Sequence, residues 1–186
     1  MQINKDAFEY AISMIKEGFV FEDFSQQFLS SVLGHTFIPV GRTKDKGVDA
    51  FQHIFASSKD EKIIFQTSTE QSYEAKIINT AEKLIKNNIK YDRLYYITNR
   101  NLNNVDRFVD TFISKYRKHL IIYDIKWFSI HCNDSSQTIN AYNTFCFNNL
   151  HEYNQPGKSN IVSNLDQDFR LFTFLRQQFD DKDVST

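Results

Sequence analysis

The chain carries no excess of charge: 22 Lys and Arg stand against 23 Asp and Glu, for a formal net charge of −1 at pH 7 with His neutral. That excludes a global basic footprint, so a nucleic-acid partner has to be held by a local patch. Cysteine is scarce, and Cys132 and Cys146 form no Cys-x-x-Cys pair, which suits a reducing compartment. The start, Met-Gln-Ile-Asn-Lys-Asp, lacks an apolar signal core, and no run approaches the ~18 residues of a membrane span. A soluble cytoplasmic protein is expected. The histidines, His35, His53, His119, His131 and His151, show no i, i+4 pair and no cysteine spacing typical of zinc. There is no Gly-x-Ser-x-Gly elbow, dinucleotide fingerprint or internal repeat. The run 155–159 ends like a phosphate-binding loop, but Glu152 stands where its first Gly belongs and no strand feeds it, so it reads as linker.

What is present is ample material for a core. Hydrophobic residues make up 41% and aromatics 15% of 186 residues, with 18 Phe. One domain of ordinary size is expected over 1–153. A linker and a C-terminal helix (168–179) follow in 154–186, leading toward a further domain in a longer chain.

Periodicity supplies the elements. Phe8, Ala11, Ile12 and Ile15 predict a helix over 6–19. Phe21, Phe24, Phe28, Leu29 and Val32 predict another over 21–33, ended by Gly34. A short strand at 37–40 contains Pro39, which favours a sheet edge. Strands at 48–56 and 62–69 flank the polar turn 57–61 and form a hairpin. A helix over 72–88 presents Ile77, Ile78, Ala81, Leu84 and Ile85, and a strand follows at 94–98. A helix over 105–116 presents Val105, Phe108, Val109, Phe112 and Ile113. A strand at 120–124 and a helix over 138–152 complete the order α-α-β-β-β-α-β-α-β-α. A hairpin feeding strand–helix–strand crossovers implies an α/β fold with a mixed sheet flanked by helices on both faces.

The chemistry concentrates in Gly41-Arg42-Thr43-Lys44-Asp45-Lys46-Gly47-Val48-Asp49-Ala50 and in Phe65-Gln66-Thr67-Ser68. Antiparallel pairing about a turn near Ser58 sets Asp49 opposite Ser68 or Thr69, and Gln66 shares a strand face with Ser68. Asp49 offers a hard anionic oxygen of the kind Mg²⁺ prefers, and Gln66 a neutral one. Glu22 is the additional carboxylate, as a direct or water-mediated ligand. Such a metal lowers the pKa of bound water and offsets charge on a pentavalent phosphate.

Glu22, the run Gly41 to Asp49, Gln66-x-Ser68, Tyr95-Tyr96-Ile97-Thr98-Asn99 and Ile121-Ile122-Tyr123-Asp124 resemble the restriction-endonuclease-like, PD-(D/E)xK superfamily. The match is to its Mrr-like branch, which carries Gln-x-Lys, and it spans roughly residues 20–130. The resemblance implies a restriction-endonuclease-like core and Mg²⁺- or Mn²⁺-dependent cleavage of DNA, in a restriction or phage-defence setting. Glu22 then matches the helical acid, Asp49 the strand acid and Gln66 the middle position, with a homodimer for double-strand cleavage. Ser68 falls where the motif lysine belongs. A serine hydroxyl supplies neither its charge nor its activation of water. Relatives move that lysine to the next helix, which here points to Lys76. Lys46 faces away from Asp49 if its segment is a strand, and Lys62 is about 13 Å along the strand from Gln66.

Plainer readings stand beside these. Asp49 also fits a polar strand residue beside a turn, Gln66 a buried hydrogen-bonding partner, and Glu22 a favourable acid near a helix start. Lys76, Lys83 and Lys90, with Arg93, Arg100 and Arg107, fit either a phosphate-backbone contact or a solvated face. His53 shares the strand face of Asp49 and fits core packing as well as substrate contact. Loss of the motif lysine also leaves room for a degenerate module that binds nucleic acid or mediates assembly.

Overall fold

The computed structural model describes residues 2–33 and 62–150. Helix α1 (Lys5–Ser13) begins where the Asn4 side chain accepts hydrogen bonds from the N–H groups of Asp6 and Ala7, at 2.9 and 3.1 Å. It ends earlier than the apolar spacing predicts, and α2 (Gly18–Leu33) begins earlier, with Phe21 N–H bonded to Glu17 O.

Three strands follow, β1 (Ile63–Ser68), β2 (Arg93–Thr98) and β3 (His119–Tyr123), in the order β1-β2-β3. Both pairings are parallel, with Gln66 opposite Tyr96, Ser68 opposite Thr98, and Tyr96 opposite Ile122. Parallel neighbours require crossovers, supplied by α3 (Tyr73–Lys86) and α4 (Val105–Tyr116). Their apolar stripes share one face of the sheet. There Ile77, Ala81, Leu84 and Phe112 pack with Ile64, Leu94, Tyr96 and Leu120.

The opposite face buries Phe65 and Ile97 against α1, α2, α5 (Ile125–His131) and α6 (Ser136–Leu150). This layer is aromatic. Phe28 sits 5.5 Å from Phe24, 5.9 Å from Phe8 and 5.1 Å from Phe128 between ring centroids. The result is a helix–sheet–helix arrangement in which alternate residues of each strand serve different cores.

The α/β class and the helices on both faces agree with the sequence. The described strands are all parallel. The predicted strands at 37–40 and 48–56, whose pairing would make the sheet mixed, lie outside the described residues, as do the linker and C-terminal helix of 154–186. The helix α5 was not foreseen. Asp124, assigned by its sequence to the last strand, instead caps α5, accepting from Lys126 N–H at 3.0 Å and Trp127 N–H at 3.1 Å. Among the described residues no helix is long and apolar enough to cross a membrane.

Candidate functional site

Period-two alternation turns Ile64, Gln66 and Ser68 toward α3, so the two polar members of the predicted motif do share a face at the carboxyl end of β1. Gln66 is 2% exposed and Ser68 6%. Buried polar groups need partners, and each has one. The Thr80 hydroxyl of α3 faces Gln66 Oε1 as acceptor, and it also lies 2.9 Å from Lys76 O, one turn back. The Ser68 hydroxyl accepts from Glu70 N–H at 3.1 Å.

That second bond gives Ser68 a role a lysine cannot fill, because an ammonium has no acceptor. On the neighbouring strand the Thr98 hydroxyl accepts from Arg100 N–H at 3.3 Å. Arg100 then reaches across, donating from Nε and Nη2 to Thr69 O at 3.0 and 2.8 Å. Opposite Gln66, the Tyr96 ring is fully buried. Burial pushes its phenol up to about 12, with the nearby Ser68 hydroxyl acting in the other direction.

Lys76 lies near the start of α3, where its ammonium pairs with Glu70 at 2.7 Å. The Lys76 side chain is 22% exposed and that of Glu70 54%, so the pair is partly shielded. Lys83 is two turns further along α3, toward the amino end of β2. Lys90 falls beyond the helix, and both are exposed. The seven-residue lysine series therefore runs away from the Gln66–Ser68 end. Arg107 is exposed on α4, and Arg93 is half-buried at the start of β2.

The link between α1 and α2 is stitched to the same end of the sheet. Asn99, directly after β2, donates from Nδ2 to Ile12 O at 3.1 Å and Ile15 O at 2.7 Å. Thr69 Oγ1 donates to Lys16 O at 3.2 Å. These bonds fix the entry to α2, on whose second turn Glu22 is half-buried. The buried residues of α2 pack on the sheet face opposite to Gln66 and Ser68. Asp49, Lys46 and His53 lie outside the described residues.

Among the described residues, no three His, Cys, Asp or Glu side chains form a group able to hold a metal ion. The predicted donors, carboxylates of Glu22 and Asp49 with the amide oxygen of Gln66, are all hard oxygens, a set that fits Mg²⁺ or Mn²⁺ and not a soft-ligand metal. Both cysteines are free, and burial pushes both thiols up, Cys146 to about 11, which keeps them protonated and poorly nucleophilic. His131 pairs with Asp134 at 2.5 Å.

Sequence reasoning missed Thr80, and it named Thr98 and Asn99 only within the resembling run, with no role for either. Thr80 was readable as the one polar member of the stripe Ile77, Thr80, Ala81, Leu84, which is the set α3 buries. Ile85, predicted on that stripe, is 56% exposed. No protein-family model matches the chain, and no curated protein matches it.

Proposed function

We propose that this chain is an Mg²⁺- or Mn²⁺-dependent DNA endonuclease that hydrolyses phosphodiester bonds, the nuclease module of a restriction or phage-defence protein. The carrying observation is that one hydroxyl, Thr80 Oγ1, contacts both the Gln66 carboxamide and the Lys76 carbonyl. The middle residue of the motif is thereby joined to α3 one turn after Lys76, whose ammonium pairs with Glu70.

In this reading Gln66 and Asp49 hold the cation, Glu22 on α2 reaches it through water, and Lys76 provides positive charge beside it. A bound Mg²⁺ supplies an activated water and charge neutralisation at phosphate. Glu70 holds the Lys76 ammonium near the start of α3. Ser68 shapes the strand end, and Arg100 holds the turn. DNA is the substrate, and a homodimer brings two sites to a duplex.

A second reading has specific support. The Ser68 hydroxyl accepts a bond within its turn, and the Lys76 ammonium is paired with Glu70. Both features suit a catalytically degenerate domain that binds nucleic acid or mediates assembly. Duplex DNA binding at low salt, measured with and without EDTA, separates the two when run beside a cleavage assay. A nuclease cleaves only with the divalent ion, whereas a binding module retains salt-dependent affinity under chelator and cleaves nothing.

A further inference from the structure

Among the described residues, β3 pairs with β2 alone, and the sequence assigns the 48–56 strand to the far edge, beside β1. His119 N–H bonds Asp92 O at 3.1 Å, so the backbone groups of His119, Ile121 and Tyr123 face β2. Alternation then points the N–H and C=O groups of Leu120 and Ile122 out of the sheet. Natural edge strands are blunted by proline, bulges or inward-pointing charges. The run Leu120-Ile121-Ile122-Tyr123 has neither proline nor charge. Ile121, beside Tyr95 in the register, is half-buried and joins neither core. Such an edge is a template for another strand.

We propose that β3 pairs with β3 of a second copy, antiparallel about a twofold axis at Ile121, to make one continuous sheet. The edge reads Lys118-His119-Leu120-Ile121-Ile122-Tyr123-Asp124, basic at one end and acidic at the other, so it complements itself when reversed. In this register Leu120 exchanges both backbone hydrogen bonds with Ile122 of the second copy, and Lys118 meets its Asp124. Moving the axis to Leu120 or Ile122 keeps the hydrogen bonds but sets Lys118 against Ile122, or Asp124 against Leu120. Lys118 lies 4.0 Å from Asp92 and is 36% exposed, which leaves its ammonium open to a second acid. The Asp124 carboxylate already caps α5, so the match is one of charge. The pairing needs neither metal nor DNA. It points the carboxyl ends of the two β1 strands in opposite directions, and so is separate from an arrangement that sets two sites on one duplex.

The test uses the full chain without metal or nucleic acid. Sedimentation equilibrium over about 1 μM to 1 mM, the range proper to a small interface, should show reversible dimers. Ile121→Lys sets like charges at the axis and should weaken association about fivefold or more. Lys118→Asp should weaken it too, and added salt should narrow its difference from wild type. Circular dichroism of each variant should match the parent. Crosslinking reads the register. Across the axis the two residues at 121 have Cα atoms about 4.5 Å apart, within disulfide reach, whereas those at 119 are about 13 Å apart. Under oxidation Ile121→Cys should form a covalent dimer and His119→Cys should not, with wild type as the control for Cys132 and Cys146. A wild type that stays monomeric throughout overturns the proposal. So does a dimer that Ile121→Lys leaves intact, because its interface then lies on another surface. Equal crosslinking at 119 and 121, or a Lys118→Asp dimer as tight as wild type, overturns the register.

Discussion

Ser68 and Thr98 lie opposite each other in the β1–β2 register, and each hydroxyl accepts from the N–H two residues further on. Neighbouring parallel strands thus end in matched turns, and the serine in the lysine's place belongs to that pair. Ser68→Ala leaves Glu70 N–H without its acceptor and should cost about 1 kcal/mol. Ser68→Lys places an ammonium at a position 6% exposed and should cost at least about 2 kcal/mol more, by urea unfolding. Equal stability of the two variants would show that the turn bond is dispensable and the site open.

Arg100 joins the two turns through its paired bonds to Thr69 O. Arg100→Met should lower stability by about 1–3 kcal/mol, the range for bonds from a charged donor. Arg100→Lys should recover only part of that, because an ammonium does not reproduce the two-pronged geometry. Chemical denaturation of the three proteins checks this, and full recovery by lysine would reduce the contact to charge alone.

The aromatic layer beneath the sheet should dominate global stability. Phe28 is fully buried and touches the rings of Phe8, Phe24, Trp127 and Phe128. Phe28→Ala should therefore cost about 3–5 kcal/mol. Phe19→Ala, at a position 65% exposed, should cost far less. Thermal unfolding of both variants measures the contrast.

Burial raises the Tyr96 phenol from an ordinary value of 10.0 to about 12. Between those values the unfolded chain has released the proton and the folded chain retains it. Tyr96 therefore lowers stability as pH rises from 10 toward 12 and contributes no slope below that window. Tyr96→Phe should flatten the fall in unfolding free energy across it by up to ~1.4 kcal/mol per pH unit. An unchanged slope would mean that the phenol is solvated in the folded state.

Much of this architecture was legible because local periodicity and tertiary need agreed. The stripe Val105, Phe108, Phe112 marks α4 over the same residues as the structure, and the strand at 94–98 is β2 with Arg93 added. Alternation alone put Gln66 and Ser68 on one face. The first helix was overextended because Ile15 keeps helical spacing and is buried, yet Asn99, 84 residues away, takes the Ile15 carbonyl. Nothing local encodes that bond. The helix α5 was missed for a different reason: its cap Asp124 follows an apolar strand without a break. Thr80 escaped notice because a threonine among isoleucines becomes informative only when its helix is docked beside Gln66. Asp49 and its hairpin lie outside the described residues, so the carboxylate on which the metal reading depends most rests on the sequence.

The decisive measurement is cleavage of supercoiled plasmid by the full chain with Mg²⁺ or Mn²⁺, run beside Asp49→Ala and Lys76→Ala. The expected result is nicking by wild type that requires the divalent ion and disappears in both variants. Loss in Asp49→Ala alone would keep the metal site and remove Lys76 from it. Intact plasmid with wild type, alongside DNA binding that chelator leaves unchanged, would contradict the endonuclease and establish the degenerate binding module in its place.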